Sequence, residues 1–327
     1  MFFWRRWILK KPALSKIATF FGVKGKIIPV NGLDLWYESF GNPTNPAFLL
    51  IMGAGCQGIF WTESFCRLLA EKGFFVIRFD HRDTGYSSYF NYTKNPYDFM
   101  DLTEDAVGLL DQLKIKNAHV MGISMGGAIG QLMAVHFPSR VLSLTLMATT
   151  SDFRPVASIM ERERVSLSPL SLPDTGWFSW VEELDAIPNW SFRRKILKHL
   201  EGWELLNGKG TFFQRSFYKK LMIESLKRQR SLFSMLNHKD AILASIDLML
   251  QTKGLIHVPT LIIHGKKDPL FPVDHAKNLF DSILDSKLVF IESMGHNFNP
   301  EFYEEVVSLV SNLTTSQKER SSYNGPS

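Results

Sequence analysis

The segment HVMGISMGGAIGQ (119–131) holds one hydroxyl nucleophile, Ser124, with Gly122 and Gly126 two residues to either side and Gly127 next along. An apolar run ends just before it and a helical pattern begins at Met125. Ser124 therefore falls on a strand-to-helix turn of the form G-x-S-x-G. Such a turn strains the serine backbone, and only small neighbours avoid collision with it. Gly127 lets the following helix pack close to the strand. The serine then projects beyond the strand end, where a helix N-terminus favours developing negative charge. Acyl transfer is the chemistry this arrangement serves. It needs a carboxylate and a base later in the chain, in the order Ser, acid, His. LIIHGKKDPLFP supplies Asp268 in a loop after a strand, and KLVFIESMGHNF supplies His296, five residues past Ile291. Asp152, just beyond the strand ending at Met147, is a rival for the acid. A tetrahedral oxyanion would take the N–H of Met125 and a second N–H from MGAGCQG (52–58). There Gly53 allows close approach, and Ala54 is the candidate donor.

Those groups meet only if a particular set of elements carries them. AFLLIM (47–52), FFVIRF (74–79), AHVMGI (118–123), VLSLTLM (141–147), VPTLIIHG (258–265) and KLVFIE (287–292) are short apolar runs. Runs of this kind predict strands buried on both faces of a parallel sheet. Helical stripes separate them, such as Trp61, Phe65, Leu68 and Leu69, or Leu102, Ala106, Leu109, Leu110 and Leu113. Asp101 with Glu104 predicts a capping box for the second stripe. Asn299 and Pro300 predict the N-cap and N1 of a C-terminal helix. Ahead of the first buried strand, two alternating segments meet at Asn31-Gly32, a two-residue hairpin signal. From Ser151 to Lys253 no buried strand run occurs, and aromatics crowd polar helical segments. The expected fold class is α/β, a mostly parallel sheet flanked by helices with an inserted helical cap. The expected organisation is a basic aromatic segment (1–25), a core (26–150 and 254–313), the cap (151–253) and a disordered tail (314–327).

These residues carry a family resemblance. HVMGISMGGAIGQLMA resembles the nucleophile elbow of cap-bearing α/β-hydrolase fold enzymes, and FDHRDTGYSS resembles their D-x-R-x-x-G-x-S segment. LIIHGKKDPLFP and ESMGHNF resemble their acid and histidine loops. Within that superfamily, LLIMGAG with FDHRDTGYSS is most similar to the aclacinomycin methylesterase-like carboxylic-ester hydrolases. The resemblance covers roughly residues 26–313 and implies esterase activity. It also implies that Asp80, Arg82 and Asp83 brace the loops beneath the site. Many relatives have His-Gly after the third strand; here Met52 precedes Gly53, which keeps the backbone donor but offers no comparable side chain.

The aromatic content of the insertion favours an ester with an apolar acyl or alkyl part. Cofactor-free perhydrolysis or lyase chemistry on the same triad, and a non-catalytic binding role, are alternatives. No cluster has zinc-ligand spacing and no phosphate-cradling glycine motif occurs, so no metal and no cofactor is expected. The chain has 327 residues, 45 % of them hydrophobic and 21 % charged, ordinary for a globular protein. Its two cysteines, Cys56 and Cys66, make no disulfide framework, which fits a reducing, cytoplasmic compartment. The net charge of +5 is uneven: residues 1–26 hold seven cations and no acid, and subtracting those seven leaves −2 for the rest. A body so near neutrality argues against a nucleic-acid partner. The N-terminal cations alternate with Phe2, Phe3, Trp4, Trp7 and Ile8. That pattern suits either peripheral contact of residues 1–24 with an anionic membrane or a helix packed on the fold.

Overall fold

The two alternating segments form an antiparallel hairpin, β1 (Lys26–Val30) and β2 (Leu33–Phe40), turning at Asn31 and Gly32. Both turn residues have positive φ, 49° and 82°, as a type I′ turn requires. The apolar runs become β3 (Ala47–Ile51), β4 (Phe75–Phe79), β5 (Ala118–Ile123), β6 (Val141–Met147), β7 (Thr260–Gly265) and β8 (Ser286–Ile291). In this computed structural model, which describes residues 24–161, 166–184, 191–229 and 236–323, they join one sheet in the order β1-β2-β4-β3-β5-β6-β7-β8. The hairpin pairs antiparallel through β2 with β4, and the remaining pairings are parallel. The basic aromatic segment lies outside the described residues except at Lys24 and Gly25; the Lys24 ammonium meets Glu63 at 2.7 Å. Among the described residues no helix is long and apolar enough to cross a membrane.

Strand alternation divides the core between the two faces of the sheet. Leu49, Ile51 and Val120 pack into one cluster with α2 (Phe99–Gln112), α3 (Met125–His136) and α10 (Val273–Ser282). Phe48, Leu50 and Met121 pack into the other with α1 (Glu63–Glu71) and α11 (Tyr303–Tyr323). Burial of both faces is what makes β3, β5 and β7 continuous apolar runs with no polar alternation.

Three local expectations are corrected. The capping box of α2 is built by Asp98 and Asp101, not by Asp101 and Glu104. Asp98 Oδ1 accepts the N–H groups of Met100 and Asp101, and Asp101 Oδ2 accepts the N–H of Asp98. The helix starts one turn earlier because Phe99 belongs to the buried stripe, and an aspartate at N3 serves as well as a glutamate. Asn299 and Pro300 open a short 3-10 turn, Pro300–Phe302, and α11 proper begins at Tyr303. Asn299 spends its side chain elsewhere, accepting from the Tyr218 hydroxyl and donating to Asn207. Finally, α11 runs to Tyr323, through most of the segment expected to be disordered. A formed helix extends at one hydrogen bond per residue, and Gln317, Lys318, Glu319 and Arg320 in this stretch are good helix formers.

Between β6 and β7 the described chain makes α4 (Arg154–Met160), α5 (Thr175–Leu184), α6 (Phe192–Leu206), α7 (Arg215–Arg228), α8 (Asn237–Ala244) and α9 (Ile246–Leu250). This is the inserted helical cap. Ile196, Leu200, Tyr218 and Leu226 join α6 to α7 in a small core of their own. Trp203 then stacks on Phe60 of the sheet domain, ring centres 5.0 Å apart.

Candidate active site

Register places the loops that matter at one edge. Ile51 pairs with Gly122, Ile123 with Met147, Met147 with Ile263, and Gly265 with Ile291. The chain therefore leaves β3, β5, β7 and β8 at nearly one level, and the segments carrying Gly53, Ser124, Asp268 and His296 follow directly. This is the carboxyl edge of the parallel strands, where α/β sheets collect their ligands.

Ser124 sits at φ 55° and ψ −124°, a conformation that side chains larger than glycine adopt only under strain. It is held there by neighbours on both sides. The Ser124 N–H donates to the Met147 carbonyl at 3.0 Å, and the Thr149 hydroxyl donates to the Ser124 carbonyl at 2.7 Å. A methyl on Gly122 would run into the Gly126 carbonyl, and one on Gly126 into the Ile51 carbonyl. Gly127 faces the Thr149 side chain, which a Cβ would meet at 2.6 Å, and Gly53 faces Ser124 itself, with room for a Cβ only 3.2 Å from that of the serine. Neither the Met125 nor the Ala54 N–H finds an acceptor among the described residues.

His296 Nδ1 and Asp268 Oδ2 are 2.9 Å apart, and both residues are buried. Asp268 Oδ1 meanwhile accepts the N–H groups of Leu270 and Phe271, at 2.8 and 2.9 Å. Burial by itself would raise the Asp268 carboxyl. The charge and hydrogen bond of His296, with His264 and the Phe271 N–H, outweigh it and hold the group below the ordinary carboxylate range. An ionised Asp268 can only accept, so His296 is the donor in this bond, through Nδ1. The rival carboxylate does something different. Asp152 forms a two-pronged pair with Arg154, its nearer oxygen at 2.6 Å, and accepts the Ser168 hydroxyl.

Ser124 and His296 line one cavity of about 210 Å³, together with Met52, Phe153, Trp177, Trp203, Phe217 and Leu270. The lining is largely apolar and comes from both the sheet edge and the cap. The His296 loop is tied to the cap as well: the His296 N–H donates to the Leu206 carbonyl at 2.8 Å.

Asp80, Arg82 and Asp83 brace loops around this site. Asp80 accepts the N–H groups of Gly58 and Tyr86, Arg82 pairs with Asp105 at 2.7 Å, and Asp83 accepts from Phe90 and Tyr97. Two histidines that spacing did not single out also belong here. His81 Nε2 donates to the Met52 carbonyl, and His238 Nδ1 accepts the Gly55 N–H, each at 2.9 Å. His81 lies inside FDHRDTGYSS and was within reach of a motif reading. His238 stands 183 residues from its partner and carries no local signal.

Burial drives both rings down, His81 to about 4 and His238 to about 3, from an ordinary histidine value of 6.5. Below pH 6.5 the unfolded chain takes up protons that the folded chain refuses until near those values. Stability therefore falls as pH falls between 6.5 and about 4, and neither ring contributes above that window. The urea midpoint should drop clearly between pH 7 and pH 5, and less so in His238→Asn. A midpoint that does not move would count against two buried neutral histidines.

Comparison with known proteins bears on the family and the fold. A sequence model of the alpha/beta hydrolase fold matches residues 46–303. The rhodomycin D methylesterases of Streptomyces sp. (strain C5) and Streptomyces peucetius are 31 % and 30 % identical over 288 residues, 87 % of this chain and 96 % of theirs. A hydrolase structure from Pseudomonas aeruginosa superposes with a TM-score of 0.67 at 24 % identity, over 88 % of this chain and 97 % of that one.

Proposed function

The chain belongs to the alpha/beta hydrolase fold family, and from that membership we propose that it is a carboxylic-ester hydrolase working through Ser124, His296 and Asp268. The observation that carries this reading is the strained Ser124 in the same cavity as a histidine whose tautomer is set by a buried carboxylate. Ser124 Oγ attacks the ester carbonyl while His296 Nε2 takes its proton. The carbonyl oxygen becomes an oxyanion facing the N–H groups of Met125 and Ala54. His296 returns the proton to the departing alcohol, leaving Ser124 acylated. A water, deprotonated by the same nitrogen, then releases the acid and restores the serine. Asp268 stays ionised throughout and supports the imidazolium. The similarity to two methylesterases favours methanol as the leaving alcohol, and the apolar cavity suits an apolar acyl part.

The test is direct. The folded protein should be labelled by a fluorophosphonate probe and should turn over apolar methyl and p-nitrophenyl esters. A chain that reacts with neither is no serine esterase.

A further inference from the structure

The loop 52–58, which we assign to the oxyanion, has no regular structure before Gly58, where a short 3-10 turn begins. Within it the chain makes one hydrogen bond that stabilises its turn, Cys56 N–H to the Gly53 carbonyl at 3.3 Å, and Gly55 sits at φ 70°. What fixes its shape comes from outside, and much of that comes from the cap. Gly55 N–H donates to Nδ1 of His238 on α8. Nε2 of the same ring donates to the Arg82 carbonyl at 2.9 Å, so the ring cannot turn without breaking both bonds. Gln57 is gripped by α7: its amide donates to the Ser225 carbonyl at 2.8 Å and accepts from Arg228 Nε at 2.9 Å. Arg228 also pairs with Asp80 at 2.7 Å, and the other oxygen of Asp80 accepts the Gly58 N–H. The Arg228 guanidinium lies over Trp36, 4.0 Å from its ring centre, and is buried.

We propose that His238 and Arg228 are positioning residues through which the cap sets the geometry of the oxyanion loop, so that the seating of the cap governs turnover and not only admission. The proposal rests on the serine-hydrolase reading above. Its physical ground is that an oxyanion donor acts over a narrow range of distance and angle. A glycine-containing loop reaches that range only when its peptides are held. With His238→Leu the Gly55 N–H loses its acceptor and the adjoining Ala54–Gly55 peptide is free to rotate. His238→Asn places a carbonyl oxygen near the position of Nδ1 and restores the acceptor. Neither side chain lines the cavity, so substrate binding should not change.

Steady-state kinetics on a soluble p-nitrophenyl ester, with the rate of fluorophosphonate labelling, decide the matter. Losing an oxyanion donor outright costs about 100- to 1000-fold in kcat, so loosening one should cost about tenfold to a hundredfold. His238→Leu should therefore lower kcat by that factor with KM within about twofold, and slow the labelling in parallel. His238→Asn should recover most of the loss. Arg228→Gln should behave as His238→Leu does, and it takes that variant's place if His238→Leu does not fold. Unchanged kcat in the folded variants, a loss confined to KM, or an Asn variant no better than Leu would each overturn the proposal while leaving the hydrolase reading intact. A wild-type chain inert to both ester and probe would overturn that reading, and this proposal with it.

Discussion

Replacing Ser124 with alanine should reduce ester turnover by about a millionfold in kcat, the scale on which removal of a serine nucleophile acts, and should abolish fluorophosphonate labelling. The fold should not notice. The Ser124 side chain makes no capping bond to α3, and its backbone is held by Met147 and Thr149 through groups that alanine retains. Alanine meets the same penalty at φ 55° as serine does, so stability should stay within about 0.5 kcal/mol of wild type. Circular dichroism and urea unfolding on the same preparation separate lost chemistry from lost structure. Residual turnover near wild type would mean that a different nucleophile works in the cavity.

Asp268→Asn should cost about ten-thousandfold in kcat, again with the fold retained. The reason lies in the two N–H groups that the Oδ1 position receives from Leu270 and Phe271. An asparagine must place its amide oxygen there, because an NH₂ group cannot accept. Its NH₂ then faces Nδ1 of His296 as a donor. The ring can answer only by accepting at Nδ1 and carrying its proton on Nε2, which leaves Ser124 without a base. Asp152→Asn makes the contrast. It breaks the pair with Arg154 and should lower stability while leaving kcat near wild type. If Asp152→Asn cripples turnover and Asp268→Asn does not, the acid has been assigned to the wrong loop.

Much of this protein is legible one segment at a time. The elbow is local: a strand, a serine at positive φ and glycines where carbonyls approach lie within a few residues of one another. The loops after β7 and β8 could be placed because parallel strands buried on both faces read as apolar runs, and their shared direction puts the following residues at one edge. Boundaries were less legible. The start of α2 depended on whether Phe99 reached the core, and the length of α11 on propagation of a helix already packed at its other end. Neither quantity is a property of residue type alone.

The cap marks the limit most clearly. Its composition announced helices and aromatics, and therefore an apolar cavity. Which of its residues would touch loop 52–58 was decided by tertiary structure. His238 meets Gly55 across 183 residues and Arg228 meets Gln57 across 171, with no motif or period linking either pair. The sequence alone therefore determined the sheet, the strained turn at Ser124 and the order of the candidate triad, because backbone strain and strand burial act over short stretches. The support of loop 52–58 depended on how an inserted helical layer settles on the sheet edge, and that follows from packing among groups far apart in the chain.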